Sequence, residues 1–239
     1  MDYKCEKNNN YKYLTYFPSV MEKWEYILYH SKDDVISNFE NGLQELHNIE
    51  FDRDSLNRTL FAGGVAAFDK GIIQFLHKWN EKIEPLFLLS EVTGEFKRYT
   101  ADEVHFPFIC TPHLLSKEIV IRDMALDENE EARLLYDKLE YIREAVANIN
   151  ACYKNLGKNY ATVWTFYAYQ YINLLLDRLK PMRVILWNEF YAFHIIFKNI
   201  CYERKIDICF MEFGCVPGTF SLDVIGQQGE SWVALHHCK

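Results

Sequence analysis

The segment RVILWNEFYAFHIIFKNICYERKIDICFMEFG, residues 183–214, decides the fold of this chain. Its first apolar run, residues 183–187, has the length of a strand, and residues 208–211 form a second such run. Between them, residues 190–204 carry large apolar side chains at helical spacing. Because a helix that joins two buried strands crosses over their sheet, the segment predicts a right-handed β-α-β unit of a parallel sheet.

Both predicted strands run into polar residues or glycine. Asn188 and Glu189 follow the first strand, and Glu212 and Gly214 follow the second. The carboxyl ends of parallel strands meet at one edge of the sheet, where open α/β sheets bind ligands. The pattern therefore predicts a site at this edge. Glu212 is either a partly desolvated general base or a carboxylate that shapes the loop by accepting amide hydrogen bonds. Glu189 is a second catalytic candidate or an acid in the first turn of the next helix.

Residues 212–231 concentrate glycines, and four of the chain's ten lie there. Glycine lets a backbone approach a ligand closely, so this stretch is predicted to be a ligand-binding loop. Its backbone amides, or a helix that begins at Gly229, are suited to an anion. Asp223 either contacts a sugar hydroxyl or a cation, or forms an Asx turn. The substrate-binding candidates are Asn188, Gly214, Pro217, Gly218, Thr219, Asp223, Gly229, Glu230 and Ser231.

Composition limits the function classes. The chain has 239 residues, of which 49% are hydrophobic and 25% are charged, as in a soluble globular protein. A net charge of −8 argues against non-specific binding of nucleic acid. The N-terminus lacks the apolar core of a signal peptide, and no apolar run reaches the roughly 18 residues of a transmembrane helix. We therefore expect a cytoplasmic protein with no transmembrane segment, although peripheral association with a membrane remains open.

Cysteine and histidine give no sign of a metal site. The seven cysteines are irregularly spaced and lack a CxxC pair, which favours a reducing compartment. His236, His237 and Cys238 are adjacent, and neighbouring side chains seldom bind one ion together. The sequence predicts no metal and no cofactor.

The rest of the chain adds strands and helices to the β-α-β unit. Residues 59–79 indicate either a strand, a glycine turn and a helix, or a corner between two helices. Asp127 is expected to begin the longest helix, which continues to about residue 149. Residues 160–180 predict a helix that is buried on more than one side. Three further strands are predicted, at residues 85–89, 106–110 and 119–121.

These elements predict one α/β domain over residues 1–239. Residues 58–239 would form a Rossmann-like core with a parallel sheet, and residues 1–57 a helix-rich N-terminal elaboration.

The motif Glu212-x-Gly-x-x-Pro-Gly-Thr219, followed by Asp223 and Gly226-x-x-Gly-Glu-Ser231, resembles a segment of bacterial capsule and surface-polysaccharide biosynthesis proteins. These are glycosyltransferase-like proteins near the capsule Kdo transferases. The resemblance covers residues 183–239, roughly the last sixty. It implies a fold like one Rossmann-like half of a B-type (GT-B) glycosyltransferase, with a nucleotide-sugar donor and a glycan acceptor.

By position in that motif, Glu212 would be the base or the carboxylate that binds the acceptor. Gly214, Gly218 and Thr219 would shape the loop that faces the donor phosphates, and Ser231 and Asp223 would be lesser candidates. A complete B-type enzyme needs two such halves, which implies a longer chain than this one. The chain is then either the N-terminal half of a transferase with a further C-terminal domain, or a compact relative.

Two other function classes stay open. The first is a non-catalytic binding or scaffold domain of a polysaccharide assembly complex, with its partner surface expected on the aromatic helix at residues 160–180. The second is a hydrolase that uses a Glu/Asp pair, for which the sequence fixes no second acid.

Overall fold

The computed structural model describes residues 58–62, 70–90, 108–110, 129–152, 158–214 and 219–226, together with several helical residues between 37 and 48. The strands in these ranges are β1 (Thr59–Ala62), β2 (Leu86–Ser90), β3 (Phe108–Cys110), β4 (Arg183–Leu186), β5 (Asp207–Phe213) and β6 (Phe220–Asp223). The helices are α1 (Lys70–Lys82), α2 (Glu130–Lys138), α3 (Glu140–Cys152), α4 (Lys158–Leu179) and α5 (Ala192–Arg204).

The strands form one sheet in the order β3-β2-β1-β4-β5-β6. Strands β1 to β5 are parallel, and β6 pairs with β5 in the antiparallel direction. The predicted α/β class with a parallel sheet is thus confirmed. The β-α-β unit is confirmed as well, since β4 and β5 pair in parallel and α5 connects them.

The central strands of the sheet are buried on both faces, as their nearly continuous apolar sequences require. Alternate side chains point to opposite faces. One set belongs to a core shared with α3, α4 and α5, and it includes Leu60, Phe87, Val184, Leu186 and Phe210. The alternate set is also buried and includes Phe61, Leu88, Ile185 and Met211. Helix α1, whose Phe75 ring lies 6.0 Å from that of Phe220, lies on this second face.

Several predicted elements agree with the structure. β2 and β3 lie where strands were predicted, and β1 followed by α1 confirms the strand-and-helix interpretation of residues 59–79 over the helix corner. Helix α4 is buried along most of its faces, as predicted. The strand predicted at residues 119–121 lies outside the described residues, and so does most of residues 1–57, so the division of the domain stays a prediction.

The predicted helix from Asp127 is wrong in two respects. Its first helix, α2, begins at Glu130, and Asn129 caps it by accepting a hydrogen bond of 3.1 Å from the Ala132 amide. The helix then breaks at Leu139, where the backbone is extended, so two helices replace one. The longest described helix is α4, with 22 residues.

The order of the strands determines where a ligand fits. From β1 the chain moves outward to β2 and β3, crosses back through α2, α3 and α4, and enters β4 beside β1. The direction of winding therefore reverses between β1 and β4. In open α/β sheets, ligands bind outside the carboxyl ends of the strands at such a reversal. The amide of Trp187, the first residue after β4, donates a 3.1 Å hydrogen bond to the Ala62 carbonyl at the end of β1.

Within the described ranges, no helix combines the length and the apolar character needed to span a bilayer.

Candidate functional site

The candidate site lies at the carboxyl edge of the sheet, where β4 and β5 end. Leu186 and Phe210 are the last paired positions of these strands, and Asn188 and Glu212 each lie two residues beyond them. The β-α-β unit therefore brings the two polar strand ends to the same edge. Their catalytic and binding roles stay predictions.

Glu212 lies within β5 and does not follow it, because β5 continues to Phe213. It pairs with Ser221 of β6, and its side chain is half-buried. The predicted loop conformation is therefore wrong at residues 212–213 and 220–223, which lie in strands, whereas the ligand-binding role of the stretch stays a prediction. Residues 220–223 form the edge strand β6, whose backbone groups on the side of β5 pair with that strand in the antiparallel direction.

Gly214 and Thr219 close the β5–β6 hairpin. The Gly214 amide donates a 2.8 Å hydrogen bond to the Thr219 carbonyl. A Cβ atom at position 214 would collide with the Thr219 hydroxyl and would lie 3.1 Å from the Thr219 Cβ atom. Glycine is thus required here by close approach within the chain itself, which gives Gly214 a structural role beside the predicted phosphate-binding one.

Asn188 holds the turn that leads from β4 into α5. Its Oδ1 atom accepts hydrogen bonds from the amides of Phe190 at 3.1 Å and Tyr191 at 3.5 Å. The same oxygen lies 2.8 Å from Nδ1 of His194, which is 1% exposed. The N-cap residue itself, Tyr191, makes no side-chain cap. Asn188 therefore closes an Asx turn over Phe190 and Tyr191, which both precede the first residue of α5.

Asn148 of α3 supports the start of α5 from the side. Its Oδ1 atom accepts from the Ala192 amide at 3.0 Å, and its Nδ2 group donates to the Phe190 carbonyl at 2.8 Å. These two hydrogen bonds fix α3 against the loop that leaves β4. Sequence reasoning missed Asn148, because nothing in its helical surroundings distinguishes it from an exposed asparagine.

Glu189 is 3% exposed, and its carboxylate pairs with the Lys198 ammonium at 3.2 Å. The two residues anchor the start of α5 to its second turn. A buried pair of this kind is costly to break, because removal of one partner leaves the other charge desolvated. Glu189 precedes α5, whose N-cap is Tyr191 and whose first turn contains no acid, so its interpretation as a capping or first-turn acid is wrong.

Asp223 forms the Asx turn that was one of its two sequence interpretations. Its Oδ1 atom accepts from the Ile225 amide at 2.8 Å and from the Gly226 amide at 3.4 Å. This turn lies at the end of β6. Pro217, Gly218, Gly229, Glu230 and Ser231 lie outside the described residues, so their predicted roles stay predictions.

An aromatic cluster at this edge was not predicted. The Trp187 ring meets the Phe213 ring edge to face at 4.8 Å, and Phe220 lies 5.8 Å from Phe213 and 6.2 Å from Trp187. Phe75 of α1 completes the cluster. Phe213 is 59% exposed, so the cluster presents a ring to solvent beside the end of β4. The pairing of Phe213 with Phe220 depends on β6, a strand that the sequence pattern did not reveal.

The buried thiols are chemically quiet. Burial raises the pKa of Cys201 to about 12 and also raises the pKa of Cys209, so both stay protonated at neutral pH. Cys152 is exposed. In the described part of the chain, no group of three or more His, Cys, Asp or Glu side chains is placed to hold a metal ion.

Comparison with known proteins adds no relative: no family model matches the chain, and no curated protein matches it.

Proposed function

We propose that this chain is a glycosyltransferase, or a domain of one, that transfers a sugar from a nucleotide-activated donor to a glycan acceptor in bacterial capsule or surface-polysaccharide biosynthesis. The observation that carries the proposal is the reversal of winding between β1 and β4. The order β3-β2-β1-β4-β5 is that of sheets that bind nucleotides at this reversal. The fold proposed is one Rossmann-like half of a B-type enzyme.

The aromatic cluster beside the reversal supports a ligand with a planar or hydrophobic ring face. Trp187 follows β4 directly, and the exposed ring of Phe213 packs against it. Rings of this kind stack on bases and on the apolar faces of sugars, with about 1–3 kcal/mol for a stacked base. In the proposed mode the nucleotide lies across the ends of β1 and β4 with one ring on Phe213.

Glu212 is the proposed base that accepts the proton of the acceptor hydroxyl. It is half-buried, and its backbone is held in the β5–β6 ladder opposite Ser221. A carboxylate fixed at the edge of a sheet can be oriented toward a substrate without ordering a loop first. Glu189 is a weaker candidate, because Lys198 already engages its carboxylate.

The test is calorimetric titration of the chain with UDP-, GDP- and CMP-sugars, followed by an assay of sugar release or transfer with the donor that binds. Phe213→Ala should weaken donor binding roughly tenfold, as expected from the loss of about 1.4 kcal/mol of stacking. Tyr202→Ala is the matched control, because Tyr202 is an equally exposed aromatic residue at 50% in the last turn of α5, near the opposite edge of the sheet.

Glu212→Gln should keep donor binding and abolish turnover, because it removes the base but preserves the shape of the side chain. If no donor binds, or if both Phe213→Ala and Glu212→Gln behave as the parent chain does, the proposal is wrong.

A second candidate, a non-catalytic binding domain of a polysaccharide assembly complex, is favoured by one observation. The polar side chains of Asn188, Glu189 and Asp223 are engaged in holding α5 and the end of β6. The partner surface expected on residues 160–180 is not available, because most of α4 is buried. The exposed apolar residues Phe213, Leu222, Val224 and Ile225 lie instead on and just after the β5–β6 hairpin. Donor binding that persists without turnover in any acceptor assay would favour this candidate.

A further inference from the structure

A cleft of about 410 Å³ lies between α2, α3 and α4, in the helical layer outside the sheet. This volume falls within the range of about 300–1,000 Å³ that is typical of small-molecule sites. The cleft is lined by residues of these three helices and by the cap of α2, and none of them belongs to the candidate site at the carboxyl edge.

Each helix contributes one stripe of side chains at helical spacing. The stripes are Asn129, Arg133, Tyr136 and Asp137 from α2 and its cap, Arg143, Val146, Ala147 and Asn150 from α3, and Asn159, Thr162 and Val163 from α4. Helices that pack on one another normally do so through apolar stripes. Here the walls combine polar side chains with apolar surface from the Tyr136 ring of α2 and the small side chains of α3 and α4. Such a lining suits a ligand with hydroxyl groups around a compact apolar face.

Arg143 forms hydrogen bonds with the C-terminal end of α2, the helix that provides one wall of the cleft. Its Nη1 group donates to the carbonyls of Tyr136 at 3.2 Å and Asp137 at 3.0 Å, at the end of α2 where Leu139 breaks the helix. The guanidinium has further N–H donors in the same planar fork. Among the described residues, the side chains of Tyr136 and Asn150 make no hydrogen bond, so both can bind a ligand.

The charge of the cleft is opposite in sign to that of the chain. Among the described residues, its lining contains two guanidinium groups, Arg133 and Arg143, and one carboxylate, Asp137, whereas the chain carries −8. Guanidinium groups form short, charge-assisted hydrogen bonds with phosphates and carboxylates. We propose that this cleft binds a hydroxyl-rich anion of monosaccharide size, namely a sugar phosphate or a sugar acid. This inference does not depend on the function proposed for the edge of the sheet.

The experiment is calorimetric titration of the full chain with glucose 6-phosphate, glucuronate, glucose and inorganic phosphate at low ionic strength. Saturable binding is expected for at least one of the first two ligands. Glucose lacks the anion and phosphate lacks the hydroxyls, so each should bind about tenfold more weakly or worse. The stronger of the first two ligands shows whether the anion is a phosphate or a carboxylate.

Two charge variants give opposite expectations. Arg133→Gln should weaken binding about tenfold, because it removes a charge-assisted contact. Asp137→Asn should strengthen it, because it removes the negative charge from the lining.

Ala147→Trp should abolish binding by filling the cleft. Ala151→Trp is its matched control, because Ala151 is also exposed on α3 but does not line the cleft. The control should bind as the parent chain does.

Thermal unfolding of each variant establishes that it is folded before its affinity is compared. The proposal is overturned if neither glucose 6-phosphate nor glucuronate binds, if glucose or inorganic phosphate binds as tightly as the stronger of these two, or if Ala147→Trp binds normally. Phe213→Ala should leave this affinity unchanged, so failure at the cleft and failure at the edge of the sheet are separate results.

Discussion

The double role of Asn188 leads to the sharpest prediction. The sequence assigns it to substrate binding, whereas the structure shows its Oδ1 atom accepting from the Phe190 and Tyr191 amides beside Nδ1 of buried His194. If the acceptor oxygen holds α5 in place, Asn188→Ala destabilises the protein, and Asn188→Asp, which keeps an acceptor oxygen there, does not.

The magnitude follows from the two groups that lose their acceptor. Loss of the acceptor of the Asx turn costs about 1 kcal/mol. A buried imidazole deprived of its partner costs about 1–2 kcal/mol more. The two costs share one oxygen atom, so we expect a total of roughly 2–3 kcal/mol for Asn188→Ala. For a domain of this size that corresponds to a fall in Tm of roughly 4–12 °C. Asn188→Asp should be close to neutral, because an aspartate also accepts the hydrogen bonds of the turn.

Urea unfolding followed by circular dichroism measures both free energies, and the donor titration is repeated on each folded variant. The reasoning is refuted if Asn188→Ala loses less than about 0.5 kcal/mol, the size of an ordinary surface substitution. It is also refuted if Asn188→Asp loses as much as Asn188→Ala, because the acceptor oxygen would then not be the relevant group. If Asn188→Ala keeps the parent Tm but loses donor binding, Asn188 is a substrate-binding residue.

Three further predictions follow from the same structure. Gly214→Ala should cost on the order of 1–3 kcal/mol in urea unfolding, because the added methyl group clashes with Thr219. Adding Thr219→Ala to the same chain should recover part of that loss. An unchanged urea midpoint for Gly214→Ala would contradict the hairpin geometry. The free energy of unfolding should fall as pH rises above about 9, by up to about 1.4 kcal/mol per pH unit. The reason is that Cys201 ionises there in the unfolded chain, whereas the folded thiol, with its pKa raised to about 12, stays protonated. Cys201→Ala should flatten this slope, and a thiol reagent at pH 8 should label Cys152 long before Cys201. Glu84→Ala should cost roughly 1–3 kcal/mol in the same unfolding assay, because the Glu84 carboxylate accepts hydrogen bonds from the first residues of both β1 and β4. A loss no larger than that of an exposed glutamate would contradict this bridging role.

Much of the fold could be predicted because apolar periodicity is a local property. The β-α-β unit was readable since each of its strands holds a continuous apolar run and the residues between them carry many large apolar side chains. β6 was not readable, because its four residues, Phe220–Asp223, are half-buried or exposed and carry no apolar run. It is a strand only because β5 pairs with it. The break at Leu139 was also missed, since the sequence from 130 to 152 keeps a helical pattern on both sides of it.

The candidate site divides in the same way. By itself the sequence determined which strands end in polar residues, and hence that Asn188 and Glu212 reach one edge of the sheet. Only the tertiary structure decided how each side chain there is engaged, because that depends on partners distant in the chain. Asn148 reaches α5 from α3, and the pairing of Phe213 with Phe220 builds the aromatic cluster next to Trp187. Periodicity along one segment predicts which elements form, whereas the contacts that equip a site form between segments.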